Sequence, residues 1–343
     1  SAMMTPLRGL ILALLSIIAL SKKYSVYRIS PLTIESLQFL EGLTKDTEID
    51  FWKEPRAVGM EVHAMITDQK SASLLDQLRS RNISFSVMID DVEKVIKNQK
   101  KRAQLKRQKS LNDLSDSKVN FNLAEYHSYD DVISYFDDLA LTYPHLVSIH
   151  PIGETHEGRQ IPLIKITNKN ITSQKRSIWI DGGIHAREWI SPATVLYFIH
   201  QLTNEYEQDP IIREYVDSIE WNLVPLLNRD GYEYSRTSTD LDVRKWRKNR
   251  SPCKEGTKMN ETTHSMEKAC CHGVDLNRNF GWCFGKSGSH SDSCSDLYSG
   301  ESAFCEPESR AVRDFISQHP MTTYVSLHSY SQMLFYPFAH KVR

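Results

Sequence analysis

A chain of 343 residues, 40% of them hydrophobic, carries enough apolar material for two cores. Its 42 basic and 43 acidic residues leave a formal net charge of −1, which excludes a general electrostatic affinity for nucleic acid or an anionic membrane. Charge-based recognition must therefore be local, and a monomer with neither of those partners is expected.

The N-terminus places Arg8 ahead of an eleven-residue apolar run, Leu10 to Leu20, with Ala19 and Ser21 near its end. Residues 1–21 read as a signal peptide, with Ser1 and Ala2 standing as a tag remnant before Met3 and Met4. The run is short for a membrane span, and Lys22 and Lys23 follow it at once, so secretion to the extracellular side is expected rather than anchoring.

Over 22–97 the pieces YSVYRIS, TIESLQFLEGL, IDFWKEP, GMEVHAMI, ASLLDQLRSRN and SFSVMI alternate as strand, helix, strand, strand, helix, strand. That order is a split βαβ arrangement and predicts a small ferredoxin-like α+β domain. A basic, polar stretch follows over 98–120, with Lys100, Lys101, Arg102, Lys106, Arg107 and Lys109. Its composition predicts a linker open to a trypsin-like protease, whether or not part of it is helical.

From 121 to 343 the apolar runs LVSIHPIG, IPLIKIT, SIWIDGG, IEWNLVPLLN and TTYVSLHSYSQMLFYPF alternate with amphipathic helical patterns. This predicts an α/β domain whose mixed, largely parallel sheet has helices on both faces. Chemistry is then expected at the carboxyl ends of the strands.

The stretch WIDGGIHAREWISP puts His185 and Glu188 three residues apart at such a strand end, after Gly182 and Gly183. An H-x-x-E pair alone is common on helix surfaces, but at a strand end the two side chains share one face and can converge on a cation. A catalytic zinc site takes three protein ligands and leaves a position for water. His328, in YVSLHSYSQ at the end of another apolar run, is the natural third. Arg187, Arg247 in RKWRKNRS, and Asn277 with Arg278 in GVDLNRNF supply donors suited to a carboxylate or a developing oxyanion.

All six cysteines, Cys253, Cys270, Cys271, Cys283, Cys294 and Cys305, lie in one 53-residue window without C-x-x-C spacing. In a secreted chain they predict disulfide staples rather than a zinc cluster, with the pairing open. Sequons at Asn82, Asn170, Asn249 and Asn260 are compatible with glycosylation.

The blocks DGGIHAREWISPA, WRKNRS, GVDLNRNF and SLHSYSQMLFYPF, in this order, resemble the signature blocks of zinc metallocarboxypeptidases of the pancreatic A/B type, peptidase family M14. FWKEP with the basic stretch resembles their activation segment. The resemblance implies one zinc ion on His185, Glu188 and His328, with Asp275 orienting a ligand histidine. It implies Arg247 as the catalytic oxyanion stabiliser, Asn277 and Arg278 on the substrate's C-terminal carboxylate, and Arg187 and Tyr330 on the peptide upstream of the cut bond. Cys271–Cys294 is the disulfide it implies; Cys283–Cys305 and Cys253–Cys270 are then expected for the remainder.

In that family the glutamate that activates water, a tyrosine that closes over substrate and the floor of the side-chain pocket lie beyond the SYSQMLFYP block. Here fifteen residues follow His328, and neither Glu233 nor Glu308 is placed by any motif to replace that base. The expected protein is a secreted carboxypeptidase zymogen in C-terminally truncated form, acting on peptide and protein C-termini once a trypsin-like protease removes the activation domain. A non-catalytic protein of the same fold that binds zinc and peptide C-termini is the alternative; a secreted binding module without metal is the remoter one.

Overall fold

The computed structural model describes residues 23–46, 48–110, 119, 121–260, 265–286, 288–330 and 333–337. The signal-peptide reading of 1–21, the end of the basic stretch, and the Glu261 and Thr262 that complete the Asn260 sequon lie outside these. No helix among the described residues is long and apolar enough to cross a membrane.

The chain divides into two compact units, with the division after Val92. In the first, β1 (Tyr24–Ser30), α1 (Ile34–Gly42), β2 (Ile49–Lys53), β3 (Val62–Thr67), α2 (Asp68–Ser80) and β4 (Ser84–Ile89) follow one another as the sequence pattern predicts. The sheet order is β2-β3-β1-β4 and every pairing is antiparallel. Thr33 and Thr67 start the helices because each hydroxyl accepts a backbone N–H of the first turn. Ile29, Leu40, Val62, Ile66, Leu74 and Leu78 close the core, each fully buried side chain contributing about 1.5–3 kcal/mol.

The basic stretch begins as helix: α3 spans Val92–Ser110. The next element of the second unit is α4 (Tyr129–Thr142), whose Ser128 cap and Asp131 form a reciprocal capping box. Next come β5 (Val147–Glu154), β6 (Gln160–Ile166), β7 (Arg176–Gly182), α5 (Ile190–Asn204), α6 (Pro210–Ser218), β8 (Ile219–Val224), α7 (Arg229–Thr237) and the short α8 (Leu241–Arg244). The unit continues with β9 (Lys254–Asn260), β10 (Ser265–Cys271), α9 (Pro307–Gln318) and β11 (Thr323–Leu327).

The central sheet has the order β11-β7-β8-β6-β5. It is mixed: β11–β7 and β7–β8 are parallel, β8–β6 and β6–β5 antiparallel. The parallel half is less extensive than the apolar runs imply, because β5 and β6 form a hairpin across the short turn from Thr155 to Arg159 and need no crossover. One core gathers α4, α5 and the sheet through Phe136, Leu139, Ile164, Val195, Ile199 and Leu223; a second gathers α9 and Trp179, Leu163 and Val312. Helices thus cover both faces, and the carboxyl ends of β7 and β11 lie side by side.

The cysteine window holds a two-stranded hairpin, β9–β10, which the sequence pattern did not announce. Cys253–Cys270 and Cys271–Cys294 are formed. The expected Cys283–Cys305 bridge is not. Cys283 stands on an exposed turn, whereas the Cys305 thiol points inward at Glu306 and the Asn279 amide.

Candidate metal centre

Trp179 and Ile180 bury β7 in the sheet and deliver Gly182 and Gly183 to its carboxyl edge. A side chain on Gly182 would meet the Ser191 carbonyl oxygen at 2.8 Å, and Gly183 has φ +69°, which favours glycine. The Ser191 hydroxyl accepts the Gly183 N–H at 2.9 Å, tying the turn to the start of α5. Between them His185 and Glu188 sit on one turn, closed by Glu188 N–H to the His185 carbonyl at 3.2 Å.

His185 Nδ1 lies 2.8 Å from Glu188 Oε1, and His328 Nδ1 lies 3.1 Å from Glu188 Oε2. The Ser329 N–H also donates to Oε2, at 3.0 Å. One potential ligand atom from each of His185, Glu188 and His328 falls within 4.8 Å of the others. His185 and Glu188 are buried, while the His328 side chain is about one-third exposed, leaving one open side. Two imidazole nitrogens and a carboxylate, with an open side, form a donor set that suits zinc.

Behind this set, His185 Nε2 faces Asp275 Oδ1 at 3.2 Å, so the wholly buried carboxylate accepts its N–H and leaves Nδ1 turned to Glu188. Asp275 Oδ2 accepts Arg247 Nε and Nη2 at 3.0 and 2.8 Å. Burial alone raises the carboxyls of Glu188 and Asp275. Hydrogen bonds from His185 and His328 outweigh it at Glu188, and the Arg247 charge followed by the His185 bond outweighs it at Asp275, so both lie well below the usual carboxylate range.

The other named residues flank these by chain position. Arg187 lies between His185 and Glu188; its Nη1 donates to the Lys245 carbonyl at 3.3 Å and approaches Asp296 at 3.5 Å. Asn277 and Arg278 follow Asp275 on a 3-10 turn, and Arg278 Nε donates to the Gly288 carbonyl at 2.6 Å. Tyr330 follows His328 by two residues and is partly exposed. Glu233 is remote in role: it accepts the Tyr129 N–H at 2.7 Å.

Two features escaped the sequence reading. Arg244 lies 3.6 Å over the Trp189 ring and donates to the Arg187 carbonyl at 2.9 Å, bracing the turn between the two donors. Its signal was its place in RKWRKNRS beside Arg247. The second is a group of His156, Glu306 and Glu308, which also bring potential ligand atoms within 4.8 Å. There the Asn249 amide already donates to Glu306 Oε2 at 2.7 Å and Glu308 Oε2 at 3.0 Å, so the group is a hydrogen-bonded node. Asn249 is therefore wholly buried, which corrects its reading as a glycosylation acceptor; Asn82 and Asn170 are exposed.

A mixed α/β sheet with a His-Glu-His donor set at the carboxyl ends of two parallel strands defines a metallohydrolase-type domain. Residues 132–343 match the zinc carboxypeptidase family model, and residues 27–99 match that of the carboxypeptidase activation peptide. The chain is 34% identical to carboxypeptidase A2 of Mus musculus over 309 residues, 90% of this chain and 68% of that one. It is 33% identical to carboxypeptidase A1 of Bos taurus, with 90% and 67% covered, so it spans about two thirds of the length of these relatives. Among solved structures, carboxypeptidase A from Helicoverpa armigera aligns with TM-score 0.72 at 26% identity over 91% of this chain and 71% of that one. Thrombin activatable fibrinolysis inhibitor aligns with TM-score 0.73 at 29% identity, over 94% and 75%. The chain belongs to the zinc carboxypeptidase family and carries that family's activation peptide.

Proposed function

We propose that this chain is a secreted carboxypeptidase zymogen whose second unit binds one zinc ion on His185, Glu188 and His328 and receives peptide or protein C-termini. The observation that carries the reading is the convergence of both Nδ1 atoms on Glu188, with Asp275 behind His185. Bound zinc would polarise the scissile carbonyl and acidify water. Asn277 and Arg278 would grip the terminal carboxylate, and Arg187 and Tyr330 the peptide upstream. Arg247, held rigid by Asp275, would stabilise the oxyanion without reorganising. A trypsin-like protease would release the activation domain by cutting in the basic stretch, and glycans would sit on Asn82 and Asn170.

The water's proton must still reach the leaving amine. Glu188 is engaged by two histidines and Ser329, and Asp275 by His185 and Arg247, so neither is available as that carrier. That both carboxylates are committed favours the second reading, a non-catalytic protein of the same fold that binds zinc and peptide C-termini. Trypsin treatment followed by an N-terminally blocked tripeptide with a free carboxylate separates them. Chelator-sensitive hydrolysis at family-like rates would show that a base is present; binding without turnover supports the binder.

A further inference from the structure

The two histidines of the donor set are backed in a related way, although the family resemblance gives a role to only one of the two backing carboxylates. Ser326 stands opposite Asp181 in the parallel β11–β7 ladder, so the two side chains share a face of the sheet. The Ser326 hydroxyl donates to Asp181 Oδ1 at 2.6 Å. Asp181 is completely buried, and its other oxygen accepts Trp179 Nε1 at 2.7 Å. Two residues beyond Ser326, on the same side of the strand line, His328 Nε2 lies 3.4 Å from the Ser326 oxygen. With its hydrogen committed to Asp181, that oxygen can only accept, so Nε2 carries a proton and Nδ1, the atom that faces Glu188, is the one left to ligate zinc.

We propose that Asp181 and Ser326 are positioning residues for His328: a carboxylate acting through a hydroxyl fixes its tautomer and ring orientation, as Asp275 does directly for His185. The assignment rests on the reading of His328 as a zinc ligand. Trp179 in turn fixes Asp181, so the alternation W-x-D in β7 and S-x-H across the end of β11 builds one relay across two strands. Carboxylate–histidine pairs of this kind strengthen metal binding by holding the ligand in its binding tautomer.

The test is zinc affinity of the full chain by chelator competition, with urea unfolding in excess chelator as the check on folding. Ser326→Ala should raise the zinc dissociation constant about 10-fold or more, Ser326→Thr should restore it, and Asp181→Asn should match Ser326→Ala. In the zinc-loaded protein, a proton–nitrogen spectrum should show the His328 ring proton on Nε2, and Ser326→Ala should broaden or move that signal. An affinity within twofold of wild type for Ser326→Ala, or a proton on Nδ1 in the zinc-loaded protein, overturns the relay. Failure of wild type itself to bind zinc overturns the ligand reading instead.

Discussion

Asp275 holds His185 with one carboxylate oxygen and Arg247 with the other, so one buried residue sets the position of both a candidate metal donor and an arginine beside it. Asp275→Asn keeps the shape but removes an acceptor and the charge facing Arg247. Zinc affinity should fall about 10–100-fold, read by chelator competition. An unchanged affinity would mean that His185 is oriented by other contacts.

Glycine at 182 is required by the close approach of α5. Gly182→Ala would drive a methyl against the Ser191 carbonyl at 2.8 Å and Val195 Cγ2 at 3.0 Å. A loss of about 1–3 kcal/mol is expected, with zinc affinity falling in parallel because the His185 turn begins here. Urea unfolding of both proteins checks it; equal stability would show that α5 yields freely.

The buried node around Asn249 predicts a pH-dependent stability. Burial pushes the Glu308 carboxyl from its ordinary 4.5 up to about 7, and the Glu306 hydrogen bond raises His156. Both groups bind their proton more tightly folded than unfolded. Their stabilisation is present in full below the unfolded values and is lost as pH rises through the folded ones. Glu306 has the opposite sign, held low by His156 and Asn249 against its burial, and acts only at more acid pH. The node's own contribution to stability should therefore fall as pH rises from about 5 to 8, and Glu308→Gln should remove that part of the slope. An unaltered slope in Glu308→Gln would assign the drop elsewhere.

The two disulfides close short loops, with sequence separations of 17 and 23. Replacing Cys271 and Cys294 together by alanine should cost ~3 kcal/mol, and peptide mapping without reduction should recover Cys253–Cys270 and Cys271–Cys294. Recovery of a Cys283–Cys305 peptide would contradict the inward setting of Cys305.

Much of this was legible because local rules and tertiary packing agree. Thr33, Thr67 and Ser128 cap where capping residues should, and the apolar runs that became β5 to β8 were recognisable without any knowledge of their partners. His185, Glu188 and His328 could be named because each follows an apolar run that marks a strand end, whereas Asp275 was named only through the resemblance of GVDLNRNF to the family's block. What stayed hidden depends on pairing between distant segments. Asp181 and Ser326 are 145 residues apart, and only the β11–β7 register brings them together. Asn249 carries a surface signature but is pulled inside by two glutamates near residue 307. The β9–β10 hairpin lacks a strong alternation because its strands lie largely in solvent and are held by disulfides.

The central claim is that His185, Glu188 and His328 make one zinc site. Zinc content of the purified chain by inductively coupled plasma mass spectrometry tests it most directly. One zinc per chain is predicted, falling to near zero in His185→Ala and in His328→Ala while both variants remain folded. A wild-type chain without zinc, or variants that retain it, would contradict the site.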